Sequence, residues 1–218
     1  MNTLSTPSPQ NVPRGTLSTL QHYEAMLKDW QERMNLVSKN TLDQAWERHF
    51  EDSLQLLPLL PEKAGTLFDI GSGAGFPGLV IAICRPDLNV HLIESTGKKC
   101  NFLTAVAQEC GAENAVIHNM RIEDIAKIGS KNVPRGTLDV IPDVVTARAL
   151  AALDQLFTYC QQWVKANPAL TLIFPKGKRA DEELEKARTG WDFELETHPS
   201  ATDEEAKILV IRKLRKKR

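Results

Sequence analysis

Cysteine and long apolar runs are both scarce in this sequence, and each scarcity excludes a class of protein. The four cysteines lie far apart, at positions 84, 100, 110 and 160, with no C-x-x-C pair and no histidine at metal-ligand spacing. The sequence therefore predicts neither a disulfide framework nor a structural zinc site. No segment approaches the roughly 20 apolar residues that a membrane-spanning helix needs, and the Ser/Thr/Pro-rich residues 1–10 contain no signal-peptide core. We expect a cytoplasmic protein without a metal or a membrane anchor.

An excess of charge of one sign is also missing. The formal net charge of the 218 residues is −1, so the chain as a whole does not resemble a binder of polyanions. Six cations nevertheless end the chain between Arg212 and Arg218. Such a run is either solvated or holds nucleic-acid phosphates, and the sequence leaves both readings open. We treat residues 215–218 as a basic tail.

Two amphipathic helices are predicted before the first strand. Apolar residues recur at steps of three and four over 16–35 and again over 42–57, where Trp46, Phe50, Leu54 and Leu57 share one face. We therefore predict a disordered tail at 1–15 and a helical cap at 16–62.

Strands and helices alternate after the cap, which predicts an α/β domain over 63–214 with a mostly parallel, doubly covered sheet. A final hairpin over 191–197 and 206–214 adds an antiparallel edge. The remaining predicted strands are 66–70, 90–94, 115–118, 143–147 and 170–174, and the helices are 77–84, 98–110, 122–127, 151–165 and 179–188.

The heptapeptide Asn-Val-Pro-Arg-Gly-Thr-Leu occurs twice, at 11–17 and 132–138. Two short copies cannot build a repeat architecture, and Pro-Arg-Gly suits an exposed turn. We interpret both copies as surface insertions in tail or loop, so that 128–142 is an inserted loop longer than the fold requires.

A glycine-rich turn at 69–78 carries the strongest functional signal. An apolar run ends at Asp69, the chain turns through Gly71, Gly73 and Gly75, and the next predicted strand ends at Glu94. Glycines let the backbone approach a ligand closely, and a carboxylate at that distance accepts hydrogen bonds from both ribose hydroxyls. Two cofactors fit: residues 73–78 match the dinucleotide pattern G-x-G-x-x-G, whereas D-x-G-x-G-x-G matches the first motif of S-adenosylmethionine (SAM) methyltransferases.

The details of the turn favour SAM. Phe76 and Pro77 lie inside it, and proline is favoured in the first turn of a helix, so the helix begins beyond the tightest part of the turn. SAM has no pyrophosphate that needs a helix N-terminus, and Phe76 is free to project and pack on the ligand. Asp69 is placed to meet the ammonium group of the methionine moiety.

Further polar residues fall where the predicted parallel strands end. Ligands bind at the carboxyl ends of such strands, which places Arg121, Arg148 and Lys176 at one cleft. With these motifs in view, the chain resembles the small-subunit (16S) ribosomal RNA guanine-N7 methyltransferases, also called glucose-inhibited division protein B. The strings that carry the resemblance are W-x-x-x-x-N-L at 30–36, R-H-F-x-D-S-L at 48–54, D-I-G-S-G-A-G-F-P-G at 69–78, L-I-E-S-x-x-K-K at 92–99, R-x-E at 121–123, A-R-A at 147–149 and K-G at 176–177.

The resemblance implies a Rossmann-like class I SAM-dependent methyltransferase that acts on small-subunit ribosomal RNA or the 30S particle, and we expect a monomer. It implies SAM contacts from Gly71, Phe76, Ile122, Glu123 and Arg148. No general base is expected, because guanine N7 carries a lone pair and no proton; Arg148 would position the reactants. Candidate substrate contacts are Asn35, Arg48, His49, Lys98, Lys99, Arg121 and Lys176.

Two alternatives stay open at this point. An NAD(P)-dependent oxidoreductase would use the same glycine turn but is disfavoured by Asp69, by Phe76-Pro77 and by the lack of a hydride-site acid. A non-catalytic assembly factor that binds ribosomal RNA and retains a cofactor pocket is the second.

Overall fold

The computed structural model describes residues 14–125 and 140–218. Seven strands form one sheet in the order β3-β2-β1-β4-β5-β7-β6. The strands are β1 Thr66–Ile70, β2 Asn89–Glu94, β3 Ala115–Asn119, β4 Val144–Thr146, β5 Thr171–Lys176, β6 Trp191–Pro199 and β7 Lys207–Lys216. The first five are parallel, and β7 runs antiparallel to both β5 and β6. The predicted parallel sheet with an antiparallel C-terminal edge is confirmed.

The helices cover the two faces of this sheet. They are α1 Arg14–Gln31, α2 Lys39–Leu42, α3 Asp52–Leu54, α4 Gly78–Cys84, α5 Gly97–Glu109, α6 Ile122–Ile125, α7 Leu153–Ala166 and α8 Ala180–Gly190. Neighbouring strand residues point to opposite faces, so Leu67 packs with α1, α4 and α5, whereas Phe68 packs with α6, α7 and α8. The N-terminal helices therefore share a core with one face of the sheet, which includes residues of β1, β2, β4, β5 and β7.

The structure corrects the predicted helix over 42–57. α2 ends at Leu42, and a π-helical turn over Trp46–Glu51 then leads into α3. In that turn the N–H of Asp52 bonds the carbonyl of Glu47, five residues back, so the helix is wider than the 3.6-residue spacing assumes. The widened turn buries His49 beside Phe50.

The ends of the predicted segments also differ. Helix α1 already includes Arg14 and Gly15, so part of the first heptapeptide copy is helical rather than tail. The remaining tail residues 1–13 and the second copy at 132–138, with most of the expected loop 128–142, lie outside the described residues. Among the described helices, none combines the length and apolar character needed to cross a bilayer.

The C-terminal cations belong largely to β7 and are mostly paired. Three acids on β6 pair with four of them, as Arg212–Glu196, Lys213–Glu194, Arg215–Asp192 and Lys217–Asp192. Because β7 starts opposite Lys176 and passes Leu172 at Ile211, its end lies beyond the amino end of β5. The first two residues of the expected basic tail, Arg215 and Lys216, are therefore part of β7, at the side of the sheet opposite the carboxyl ends of the parallel strands.

Two stacked histidines on β2 and β3 predict a stability that depends on pH. Nδ1 of His91 lies 2.9 Å from Nε2 of His118, and burial lowers the pKa of His91 from 6.5 to about 4, with the neighbouring His118 adding to the shift. Between these values the unfolded chain binds a proton that the folded chain does not, so stability should fall as the pH drops from 6.5 toward 4. We expect His91→Gln to flatten this dependence.

Urea midpoints measured across that pH range for the wild type and the variant test this expectation. The difference between the two proteins isolates His91 from other titrating groups, and parallel curves would contradict the prediction.

Candidate active site

The glycine turn joins β1 to α4 and requires glycine at several positions. Gly71, Gly73 and Gly75 have positive φ values of 73°, 58° and 94°, which side chains other than glycine rarely adopt. A Cβ on Gly71 would lie 2.6 Å from Leu150 at the rim of a cavity. A Cβ on Gly75 would collide with the hydroxyl of Tyr23. Gly75 therefore makes room for helix α1 rather than for a ligand, which sequence reasoning missed.

Glu94, at the end of β2, holds the turn in place. Its Oε2 accepts a hydrogen bond of 2.9 Å from the N–H of Gly73, and its Oε1 accepts one of 2.7 Å from the N–H of Thr96. The side chain lines the cavity beside the turn. The predicted acid is thus in the expected place, with an additional structural role.

Asp69 lies beneath the turn and does not line the cavity wall. Its Oδ2 accepts a hydrogen bond of 3.0 Å from the N–H of Gly78, and a Cβ on Gly78 would lie 2.6 Å from this carboxyl group. Complete burial raises the pKa of Asp69 to about 7. The expected contact with a cofactor ammonium group is not supported by this geometry, because the side chain points at the start of α4.

Phe76 does not project freely from the turn as expected. It is 3% exposed, because it stacks on Tyr23 on one side, at 5.4 Å between ring centroids, and on His49 on the other, at 5.1 Å. The carbonyl of Ala74 accepts a hydrogen bond from the Tyr23 hydroxyl. This aromatic stack fastens the N-terminal helices to the turn and leaves Phe76 at the edge of the cavity.

Arg148 is bound by groups from the N-terminal cap. Its Nη1 donates to the carbonyl of Arg48 and to Oδ2 of Asp52, both at 2.9 Å, and its Nη2 donates to Nδ1 of His49 at 3.0 Å. The guanidinium also lies 5.2 Å from the centroid of the Phe76 ring. The strand-end position was predicted, whereas these partners were not.

These contacts determine which ring nitrogen of His49 carries the proton. A guanidinium only donates hydrogen bonds, so Nδ1 must be the acceptor and Nε2 carries the proton. Nε2 then donates to Oγ1 of Thr41 at 3.0 Å. Burial, followed by the charge of Arg148, lowers the pKa of His49 to about 4. His49 is therefore a neutral, packed residue, and the structure places it behind Arg148 rather than facing a substrate.

The tip of the β6–β7 hairpin reaches the same cluster. Oδ1 of Asp52 accepts hydrogen bonds from Oγ1 of Thr202 at 3.0 Å and from Nε2 of Gln55 at 2.9 Å. Oε1 of Gln55 accepts a bond of 2.9 Å from the N–H of Ala201. Asp52 is thereby held on one oxygen and presents the other to Arg148.

A first cavity of about 520 Å³ lies at the carboxyl ends of β1, β2 and β4. Its size is within the range of small-molecule and cofactor sites. Most of the predicted cofactor residues line it, and its wall also includes residues that were not predicted as site residues, among them Leu36, Val37 and Tyr159. The predicted residues in its wall are Gly71, Gly73, Phe76, Glu94, Lys99, Arg121, Ile122, Glu123 and Arg148.

Two side-chain contacts shape this first cavity. Gln31 Oε1 accepts hydrogen bonds from the N–H groups of Leu36 and Val37 at 2.8 and 3.0 Å, which holds their loop against the cavity. The hydroxyl of Tyr159 on α7 donates to Glu123 at 3.1 Å. The Gln31 contacts span only five and six residues, whereas Tyr159 and Glu123 are 36 residues apart in the sequence.

A second cavity of about 540 Å³ adjoins the first and shares Arg148, Ala149 and Leu150 with it. It lies at the carboxyl end of β5, where Lys176 pairs with Glu183 at 2.7 Å and donates to the carbonyl of Ala151 at 2.8 Å. Arg48 also lines it. The predicted residues Asn35 and Lys98 are exposed and line neither cavity.

The fold and this site define a class. The O-methyltransferase from Bacillus cereus, solved in complex with SAH, aligns with a TM-score of 0.54 at 11% identity, over 92% of this chain and 91% of that one. Such low identity supports the fold alone. The strand order, with a glycine turn after β1 and a cavity at the carboxyl edge, is that of a class I methyltransferase.

Sequence comparisons then identify the family. Residues 16–210 match the model described as rRNA small subunit methyltransferase G. Proteins named Ribosomal RNA small subunit methyltransferase G are 44% identical in Parvibaculum lavamentivorans, over 94% of this chain and 86% of that protein, and 44% identical in Rhodospirillum centenum, over 92% and 85%. The chain belongs to the rRNA small subunit methyltransferase G family, which confirms the resemblance drawn from its motifs.

Proposed function

We propose that this protein transfers the methyl group of SAM to N7 of a guanine in the 16S ribosomal RNA of the small ribosomal subunit. The observation that carries the proposal is that two cavities of similar size meet at Arg148. One is bounded by the glycine turn and Glu94 and suits the cofactor; the other is lined by cations and suits a nucleotide. We propose a monomeric, cytoplasmic enzyme.

The residues around Arg148 suit a reaction that transfers no proton. When bound, SAM supplies an electrophilic methyl group, and the guanine N7 lone pair attacks it without losing a proton. The neutral, packed His49 is poorly placed to act as a base. What the protein must supply is alignment of the two reactants.

Arg148 is suited to this alignment. Three of its five N–H bonds are used within the protein. The N–H on Nε and one on Nη2 have no acceptor among residues 14–125 and 140–218. The guanine edge that carries N7 also carries O6, an acceptor that arginine commonly binds. Arg148 can therefore orient a guanine while it keeps its ion pair with Asp52.

Methyl transfer to small-subunit particles tests the proposal directly. Particles lacking the modification are incubated with the protein and SAM carrying a radiolabelled methyl group, and N7-methylated sites are mapped by borohydride–aniline cleavage. One labelled guanine is the expected result. RNA binding without any transfer would favour the assembly-factor alternative, and calorimetry showing tight NAD binding with none for SAM would exclude the cofactor assignment.

Cofactor binding and RNA use should be separable by mutation. We expect Glu94→Ala to weaken SAM binding by about 10²-fold, because hydrogen bonds to a charged group contribute about 1.5–3 kcal/mol each. The variant Lys98→Ala, at an exposed residue that lines neither cavity, should weaken methyl transfer to RNA and leave SAM binding nearly intact. Calorimetry with SAM and transfer assays with varied RNA measure the two effects; equal losses of both activities in both variants would refute the division.

A further inference from the structure

The cations that line the second cavity outnumber its acids by two. The cations are Arg48, Arg148, Lys176, Lys178 and Arg179, and the acids are Asp52, Glu183 and Asp203. Each acid is already paired: Asp52 with Arg148 at 2.9 Å, Glu183 with Lys176 at 2.7 Å and Asp203 with Arg48 at 3.3 Å. Lys178 and Arg179 have no ion-pair partner in the described parts of the chain. The unbalanced positive charge of this cavity therefore resides in these two residues.

Two of the three paired cations lie deeper in the cavity than the unpaired ones, whereas the side chain of the third, Arg48, is 40% exposed. The side chains of Lys176 and Arg148 are 11% and 18% exposed, whereas Lys178 and Arg179 are exposed on the turn between β5 and α8. A neutral base can enter a closed cavity, but a phosphate is costly to remove from water. The two unpaired cations therefore lie at the mouth of the cavity, where the phosphates of a bound nucleotide would stay hydrated.

The C-terminal cations show the opposite arrangement. They lie beyond the other edge of the sheet, and Asp192 alone lies within 4 Å of both Arg215 and Lys217. The longest run of positive charge in the sequence is thus partly paired with acids and remote from both cavities. The unpaired positive charge that lies beside a cavity is at the carboxyl edge.

We infer that Lys178 and Arg179 form a phosphate-binding rim that holds the RNA backbone next to the guanine in the second cavity. The inference rests on the proposed function and adds to it the place where the RNA strand leaves the active site. Enzymes that act on a base take it out of its stack, so the flanking phosphates come to lie at the mouth of the cavity. The rim lines the second cavity only, whereas Arg121 lines the first and Arg148 lies between the two.

The double variant Lys178→Ala/Arg179→Ala tests the rim, and Arg215→Ala/Lys217→Ala is its matched control. Each pair removes one lysine and one arginine. Binding of a short fluorescein-labelled single-stranded RNA is measured by anisotropy over a series of KCl concentrations. Each lost phosphate contact should reduce the slope of log K against log[salt] by about 0.7. We expect a reduction of about 1.4 for the rim variant, none for the control, and unchanged SAM binding in both.

A rim variant with the wild-type slope, or a control with an equal loss, would overturn the inference. The charge reversal Lys178→Glu/Arg179→Glu should weaken RNA binding further at low salt, and calorimetry with SAM verifies that each variant is folded. RNA binding requires no methyl transfer. A wild-type protein that binds RNA through the rim but modifies no guanine would therefore refute the proposed function and leave the rim intact.

Discussion

Replacing Arg148 by alanine should reduce methyl transfer by about 10²- to 10³-fold. The side chain stands between the two cavities, so its loss affects the alignment of both reactants, and small misplacements in a reacting pair cost about 10²-fold. The substitution also leaves Oδ2 of Asp52, the carbonyl of Arg48 and Nδ1 of His49 without their donor. A loss of stability of roughly 2–3 kcal/mol should accompany it, because hydrogen bonds to charged groups are among the stronger ones.

A remote arginine separates these two effects. Arg85 makes two hydrogen bonds to Asp87 at 2.8 and 2.7 Å, outside both cavities. Arg85→Ala should leave kcat/KM unchanged. Arg148→Lys keeps the positive charge but loses the planar guanidinium and its fixed set of donors. It should therefore retain a larger fraction of the wild-type stability than of the wild-type activity. Thermal unfolding and single-turnover transfer at saturating SAM measure both, and a folded Arg148→Ala with wild-type kcat/KM would contradict this role.

Gly75→Ala should destabilise the protein by about 3 kcal/mol, whereas Gly73→Ala should cost only about 1–2 kcal/mol. Both substitutions place an alanine at positive φ, which costs about 1–2 kcal/mol in the left-handed region. Only at Gly75 would the new methyl group also collide with the Tyr23 hydroxyl and lie 3.0 Å from Leu103 and Leu79. At Gly73 the new methyl group would lie no closer than 3.9 Å to the Gly71 carbonyl oxygen, its nearest neighbour. Overpacking of a filled site adds its own penalty.

Denaturant unfolding of the two variants measures this difference. The two variants form a matched pair because each substitution adds one methyl group to the same turn. Tyr23→Phe in the Gly75→Ala background removes the colliding oxygen and should restore part of the lost stability. Equal destabilisation by the two glycine substitutions would show that packing against α1 does not matter.

The sequence was most informative where a local pattern has one structural meaning. Strands alternating with helices predict a parallel sheet, and the interval from Gly73 to Glu94 predicts a strand-end acid beside a glycine turn. Both predictions hold because parallel strands bring their carboxyl ends to one edge. Gly75 shows the limit of such reasoning, since its neighbour Tyr23 is 52 residues away in sequence and was visible only as part of a helix pattern.

The sequence was least informative where the contacts of a residue form only in the folded chain. The π-helical turn at Trp46–Glu51 has no spacing signal, and it buries His49 behind Arg148, which follows about 100 residues later. The C-terminal cations left a solvated tail and a phosphate-binding tail both open, because the acids of β6 that pair with four of them are recognised only once the hairpin is formed. In both cases the missing information is a contact that forms only in the folded chain.

The hairpin tip has a consequence for synthesis of the protein. The glycine turn, Glu94 and the α1–Phe76 stack are complete in the first half of the chain, whereas Thr202 and Ala201, which hold Asp52 and Gln55, are synthesised about 100 residues after Glu94. A nascent chain can thus form its cofactor turn before the support of Arg148 is in place. Competence to modify RNA should therefore appear later in synthesis than the cofactor turn, once the hairpin has been made.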